Sequence, residues 1–378
     1  MALSSQETCF LWGPRQTGKS TLLKSLFPNA VRYDLLLSTE YQRLLQNPGL
    51  IREYCSGAGL DGNNQTEPVI IDEIQKIPVL LDEVHWLIEN KGLRFILCGS
   101  SARKLKRGYA NLLGGRAVRY EMFPLVYPEV ADFSLEKALN SGLIPRHYAS
   151  QYPLKLIQSY IGDYLREEIA AEALTRNIPA FSRFLEVAAL SNGEIINYSN
   201  IASECGVSNP TVKEYFQILE DTLIGRYLPA FRKRKKRRLV LSPKFYFFDL
   251  APVIHFTRRG EVTRGSELFG RAFEHFMHME IIAHSSYSEK NYPVYFWKTS
   301  SGMEVDFILG DHEIAVEVKG TDQARPKHLK GLRNFREEYK TKHSLLVSLD
   351  EKPRKTEDGI EILPWQIFLE KLWSDQII

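Results

Sequence analysis

Through residues 1 to about 150, short apolar runs alternate with segments of helical period. The runs at Thr8–Trp12, Ala30–Asp34, Val69–Ile71, Arg94–Cys98 and Ala117–Phe123 read as strands. Between them, Ser20–Leu26 and Val79–Glu89 read as helices, the second opening after Pro78 and closing near Gly92. Strands separated by helices predict a parallel sheet. Gly57–Asn64 is turn-rich, and residues 150 to about 230 are helical almost throughout. A basic run, RKRKKRR at 232–238, then precedes the strand-like KFYFFDL. From Gly265 the pattern gives a helix at Phe269–Ile282, several strands, a helix near Leu329–Tyr339 and a closing strand. These changes predict three domains, at 1–150, 151–262 and 263–378, with no internal repeat.

Composition narrows the class. Of the 378 residues 44% are apolar and 25% charged, which excludes disorder as an overall description. No uncharged apolar stretch approaches the ~18 residues of a membrane span. MALSSQETCFLWG has neither the basic start nor the apolar stretch of a signal peptide. Cys9, Cys55, Cys98 and Cys205 are far apart, against a zinc cluster or a disulfide scaffold. The expectation is a reduced, cytoplasmic protein without a membrane partner. The net charge of +3 conceals a distribution, because the seven cations at 232–238 outweigh it. A mildly acidic body carries one basic tip, the mark of a polyanion met at one place.

The strongest motif is GPRQTGKS at 13–20, which fits G-x-x-x-x-G-K-[ST] between a strand and a helix. Gly13, Pro14, Arg15, Gln16, Thr17, Gly18, Lys19, Ser20 and Thr21 would cradle the phosphates of ATP. The glycines let backbone N–H groups converge, Lys19 reaches the β- and γ-phosphates, and Ser20 holds Mg²⁺. The strand Val69–Ile71 ends in Asp72 and Glu73. Asp72 would bind Mg²⁺ through water and Glu73 would orient the attacking water. Ser100, after the next strand, is either a γ-phosphate contact or a helix cap. Arg116, with Arg103 and Arg119 as rivals, is a candidate arginine finger for a neighbouring subunit or an ordinary surface arginine.

GPRQTGKST, VIIDEIQKIP, FILCGSSARKL and the GGR that precedes FPL resemble the AAA-type ATPases of bacteria and archaea that carry a C-terminal restriction-endonuclease-like domain of unknown function. The resemblance implies an α/β fold whose first sheet has the order 5-1-4-3-2, followed by a winged-helix segment and an α/β nuclease-like domain. Only about eight residues precede the first strand where such proteins have a helix, so adenine contacts stay unassigned.

Ser199–Cys205 reads as a short helix, Gly206–Ser208 as a turn, and Asn209 as the cap of a second helix with Pro210 at its first position. Ile201, Ala202, Val207, Val212, Tyr215 and Leu219 suit a helix-turn-helix core, with Asn209, Thr211, Lys213 and Glu214 exposed. Tyr227–Phe247 fits a two-stranded wing tipped by Arg232, Lys233, Arg234, Lys235, Lys236, Arg237 and Arg238. Thr211 and Lys213 would enter DNA and the wing would meet phosphates. The plainer alternative is a packing module with a solvated basic loop. Asp249 is marked by the resemblance without a mechanism.

Met303–Leu309 and Glu313–Lys319 read as a hairpin around Gly310-Asp311. A two-residue turn pairs Leu309 with His312, Asp306 with Ala315 and Glu304 with Glu317. Strict alternation puts Val305, Phe307, Leu309, Ile314, Val316 and Val318 on one face, and Glu304, Asp306, Glu317 and Lys319 on the other. Asp306 and Glu317 could share a Mg²⁺, with Lys319 positioning a water. Aspartate, ten residues, then Glu-x-Lys is similar to the restriction-type nuclease motif, and that resemblance adds Glu274 as a third acid. Val305 stands where a proline often precedes the aspartate.

The expectation is an ATPase that uses ATP and Mg²⁺, forms homo-oligomers, and is coupled to DNA binding and a nuclease-like domain. The alternative is an ATP-dependent oligomeric scaffold or switch whose last domain binds without cutting.

Overall fold

The structure, a computed structural model, describes residues 7–101, 112–162, 177–233 and 239–378. Two compact units make up the chain: Met1–Pro124 with Asp221–Ile224, and Leu125–Glu220 with Gly225–Ile378.

The smaller unit is built on β1 (Cys9–Trp12), β2 (Arg32–Asp34), β3 (Val69–Asp72), β4 (Phe95–Gly99) and β5 (Val118–Glu121). All pair in parallel, in the order β2-β3-β4-β1-β5, which is the 5-1-4-3-2 order read from the other edge. Cys9, Leu11, Ile70, Ile96 and Cys98 pack with Leu23 of the helix Lys19–Leu26 on one face. Phe10, Trp12, Val69, Ile71, Phe95 and Leu97 meet Leu80, Val84 and Leu87 of the helix Leu80–Lys91 on the other. Burial on both faces is why these strands read as unbroken apolar runs. Gly92, left-handed at φ 63°, closes the second helix by donating its N–H to Leu87 and Ile88. Two further helices, Ser38–Gln46 and Leu50–Gly57, fill the crossover from β2 to β3.

The larger unit starts with short helices, among them Leu135–Ser141 and Ile178–Leu190. The helices Tyr198–Cys205 and Asn209–Asp221 follow, then an antiparallel pair, β6 (Gly225–Leu228) and β7 (Lys244–Phe247). The chain between these strands does not stand free at its described ends. Phe231 N donates to Phe296 O at 2.7 Å, and Val240 N donates to Lys298 O at 2.9 Å. Both ends of the basic run are thus fastened to β8 (Val294–Lys298), an edge of the second sheet. Arg234, Lys235, Lys236, Arg237 and Arg238 lie outside the described residues, as does Arg103.

The second sheet is mixed, in the order β12-β13-β11-β10-β9-β8. Its other strands are β9 (Glu304–Leu309), β10 (Ile314–Val318), β11 (His343–Ser348), β12 (Arg354–Lys355) and β13 (Glu361–Pro364). One face packs on the helices Glu267–Tyr287 and Trp365–Trp373 through Phe307, Leu309, Ile314, Val316 and Val318. The other packs on the helix Lys330–Arg336 through Val305, Ile308 and Ala315. The chain closes with the helix Trp365–Trp373 rather than a strand, because Pro364 ends the ladder and PWQIFLEKLW then follows helical period.

The hairpin corrects two expectations. Leu309 pairs with Ile314, so the turn is the four residues 310–313, with positive φ at Gly310 and His312. The register moves by two residues, a shift that by itself keeps side chains on their faces, so Ala315 pairs with Ile308 rather than with Asp306, and the ladder ends at the Phe307–Val316 pair. Between the Tyr295–Ile308 and Trp297–Val305 pairs β9 holds one residue more than β8. This bulge moves Val305 to the face of Ile308 and re-aims Asp306. The pair does not face water: Asp306 and Glu317 are buried.

Among the described residues no helix is long and apolar enough to cross a membrane.

Candidate functional site

The order of the first sheet puts the ends of β1, β4 and β3 side by side. Gly13 opens the loop after β1 with its N–H on Gly99 O at 3.3 Å. A Cβ at Gly13 would lie 2.5 Å from Met122 O, and Gly18 is at φ 100°. Close approach at the first glycine and left-handed backbone at the second explain both. Gln16 is also left-handed, at φ 62°. Thr17 Oγ1 donates to Pro14 O at 2.9 Å and fixes the curl. Lys19, buried, folds its ammonium onto Gly13 O at 2.6 Å and Pro14 O at 2.9 Å. Burial lowers its pKa against the opposing charges of Glu73 and Asp72, with half-buried Arg15 adding to the lowering. Ser20 Oγ donates to Asp72 Oδ2 at 2.8 Å, while Thr21 is exposed. An exposed hydroxyl on a carboxylate, under a curl of backbone N–H groups, is a donor set that suits Mg²⁺ and phosphate.

Glu73 is held left-handed at φ 59° and is buried, and burial raises its pKa. Gln75 Nε2 donates to Glu73 Oε2 and, at 3.2 Å, to Ser100 Oγ, which itself lies 3.4 Å from Glu73. The sequence singled out Glu73 and Ser100 but missed Gln75, whose amide joins them. Gly99 leaves room for that crossing and for the Trp12 ring: a Cβ there would fall 2.3 Å from Gln75 Oε1 and 2.4 Å from Trp12 Cζ3. Arg116 is engaged within its own unit, ion-paired to Glu89 with both side chains about half exposed. Arg119 is exposed on the edge strand β5.

The second cluster lies where β9 and β10 pair. Val318 N donates to Asp306 Oδ2 at 2.8 Å. Lys319 Nζ stands 2.6 Å from Glu317 Oε1 and 3.5 Å from Asp306 Oδ2. Glu317 Oε2 is buried with no hydrogen-bond partner, an acceptor fitted to a cation or a water. Burial, then the charge of Asp306, pushes Glu317 up to about 8. Burial also raises Asp306, against the pull of Lys319. The Lys319 pKa is raised: burial opposes its charge but Asp306 and Glu317 outweigh it. Two carboxylates suffice to hold a magnesium that keeps waters or substrate oxygens. Among the described residues, no three of His, Cys, Asp or Glu form a ready-made cage.

Glu274 lies near enough for its charge to act on Asp306, Glu317 and Lys319, but its Oε1 is already taken. Tyr246 Oη donates to it at 2.6 Å and Lys244 Nζ at 3.0 Å. Lys244 also reaches Glu304 Oε1 at 2.8 Å, and Lys298 the other Glu304 oxygen at 2.7 Å. Lys244, Tyr246 and Lys298 were not among the expected site residues, and Glu304 was placed on the carboxylate face without a role. The signal was there: one lysine within an otherwise apolar strand run.

Lys213 is exposed and Thr211 half-buried on the helix Asn209–Asp221. The cap of that helix is Ser208, whose Oγ accepts from Thr211 N at 3.3 Å. Lys213 Nζ lies over the Tyr198 ring at 5.3 Å. Arg232 is exposed, and Lys233 pairs with Asp311. Asp249 acquires a structural account: fully buried, it accepts from Ala251 N at 2.7 Å, capping the helix Leu250–Thr257, and from Leu143 N at 2.6 Å.

Comparison with known proteins agrees with the first cluster. Residues 5–131 match the model of an AAA domain, and residues 132–262 and 269–368 match two domains of unknown function, DUF8612 and DUF4143. Uncharacterized proteins of Mycobacterium tuberculosis and Mycobacterium bovis are each 25% identical over 332 residues, 85% of this chain and 72% of theirs. One of Haemophilus influenzae is 22% identical over 315 residues, 78% of this chain and 75% of its own. The crystal structure of a signal transduction ATPase with numerous domains, bearing a tetratricopeptide repeat sensor, from Pyrococcus horikoshii aligns at 16% identity and a TM-score of 0.22. That alignment covers 76% of this chain and 48% of the other. The chain carries an AAA-type P-loop ATPase domain, which implies nucleotide binding, followed by a C-terminal domain of unknown function.

Proposed function

We propose that the protein hydrolyses Mg-ATP at the loop 13–20 and uses nucleotide state to govern metal-dependent hydrolysis of nucleic-acid phosphodiesters in its C-terminal domain. The observation that carries the first half is the Ser20–Asp72 hydrogen bond beside buried Glu73. Lys19 leaves the Gly13 and Pro14 carbonyls for the β- and γ-phosphates, and the N–H groups of the loop bind the remaining oxygens. Ser20 and Asp72 would hold Mg²⁺, which neutralises phosphate charge when bound. Glu73, its pKa raised by burial, takes the proton of the attacking water, and Gln75 and Ser100 aim it. Arg116 would leave Glu89 to serve a neighbouring subunit's nucleotide in a homo-oligomer.

In the second half, Asp306 and Glu317 would hold Mg²⁺ or Mn²⁺, which polarises the scissile phosphate, and Lys319 orients the attacking water. The helices Tyr198–Cys205 and Asn209–Asp221 with β6 and β7 act as a winged helix. Thr211 and Lys213 meet the groove and the basic run meets phosphates. A second reading, an ATP-dependent scaffold whose last domain binds without cutting, is favoured by one observation: Lys319 already lies on both Glu317 and Asp306.

One set of assays tests both halves. Lys19→Ala abolishes ATP turnover, and Asp306→Ala abolishes cutting with nucleic-acid binding retained. Plasmid, linear and single-stranded substrates all left intact by wild type with Mg²⁺ or Mn²⁺ refute the nuclease half and leave the scaffold.

A further inference from the structure

We infer that Lys244 is a built-in counter-ion that stands where a second metal would sit, so that the carboxylate cluster of the larger unit takes one divalent cation and Glu274 is not a ligand to it. The inference rests on the reading of Asp306 and Glu317 as a cation-binding pair.

Lys244 comes from β7, remote in sequence from the acids it serves, and is buried. A buried ammonium is tolerated only where it is paired, and this one bridges two carboxylates from different elements. It lies 3.0 Å from Glu274 Oε1, on the helix Glu267–Tyr287, and 2.8 Å from Glu304 Oε1, on β9. One cation linking carboxylates from two elements is the task of a metal ion. Tyr246, two residues on and fully buried, adds a hydroxyl to the same Glu274 oxygen at 2.6 Å. Its ring stacks on His278 at 4.1 Å, which fixes where that hydroxyl points.

Charge balance gives the same answer. Four carboxylates (Glu274, Glu304, Asp306 and Glu317) meet three ammonium groups (Lys244, Lys298 and Lys319). One divalent ion beside Asp306 and the unpartnered Glu317 Oε2 already reverses the sign of this cluster. A second would be repelled by the first and by Lys244 at a few ångströms. Without Lys244, Glu304 Oε1 would lose its ion pair and Glu274 Oε1 would keep only the Tyr246 hydroxyl, and the two oxygens would offer a second ion its ligands.

Mn²⁺ titration of the full-length chain, without nucleotide, tests this, counting bound ions by calorimetry and by the electron paramagnetic resonance of free Mn²⁺. Asp306→Asn removes the one ion that wild type binds, while Glu274→Gln leaves the number unchanged and lowers affinity by less than tenfold, through the loss of its charge alone. Lys244→Met gains one further ion per chain, or binds Mn²⁺ at least tenfold tighter, and adding Glu274→Gln cancels the gain. Lys244→Arg binds as wild type does. A tenfold loss of affinity on Glu274→Gln alone overturns the inference, as does a folded Lys244→Met variant that binds like wild type. Should Lys244→Met fail to fold, Glu274→Gln decides alone. If Asp306→Asn changes nothing, the reading of the pair fails, while a Glu274-dependent ion in Lys244→Met still upholds the role of Lys244.

Discussion

Gly331, in the helix Lys330–Arg336, sits where two rules give opposite signs. Helix propensity favours alanine over glycine by up to ~1 kcal/mol. Packing forbids it: a Cβ there would fall 1.9 Å from Glu304 O, well inside the 3.0 Å below which something must shift. Either the helix or β9 must retreat by more than an ångström, and overpacking of this kind costs ~1–3 kcal/mol. Since β9 carries Asp306 two residues further on, and the same Cβ would lie 3.5 Å from Glu317 Oε2, the retreat deforms the carboxylate pair. Gly331→Ala is expected to lower the thermal midpoint by about 2–8 °C and to weaken Mn²⁺ binding about tenfold or more. Gly270→Ala is the control, because that helical glycine has nothing within 4 Å of its missing Cβ. It should raise the midpoint by about 1–3 °C. Differential scanning fluorimetry with Mn²⁺ titration reads both. An unchanged or higher midpoint and unaltered metal affinity for Gly331→Ala refute the steric argument.

Glu280 is fully buried, accepts from Tyr127 N at 2.9 Å and Trp373 Nε1 at 2.7 Å, and is pushed up to about 8 chiefly by burial. A carboxyl raised in the folded state contributes stability that is complete below about pH 4.5 and lost as pH rises through 8. The advantage of wild type over Glu280→Gln in urea unfolding should therefore shrink by a few kcal/mol from pH 5 to 8.5; a constant difference refutes it. Asp249→Ala, which strips a buried acceptor from Leu143 N and Ala251 N, should cost about 2–4 kcal/mol in the same assay. A loss below about 0.5 kcal/mol would show the cap to be idle.

Legibility in the sequence followed the range of the interactions. The loop 13–20 and the strands β1, β3 and β4 could be read because a local motif and a buried run each carry their own pattern. The hairpin was read on the right faces except at Val305, but two residues out of register, since Gly310 invites a two-residue turn and the positive φ of His312 leaves no trace in a sequence. The bulge that re-aims Asp306 depends on pairing with β8 and was equally invisible. Lys244 and Tyr246 were missed because their partners are 28 to 60 residues away, and Gln75 because the Ser100 that it joins to Glu73 is 25 residues on. Lys244 still left a mark: a charge inside a buried strand must have a partner, which the sequence does not name. The basic run was legible as charge, and the fastening of its ends to β8 was not.

The ATPase centre is tested most directly by ATP binding and steady-state turnover of Glu73→Gln beside wild type. Wild type should turn over ATP with Mg²⁺, and the variant should bind ATP within about threefold of it while turning over at least ~100-fold more slowly. Turnover at the wild-type rate by Glu73→Gln, or a wild-type chain that binds ATP and never hydrolyses it, contradicts the assignment.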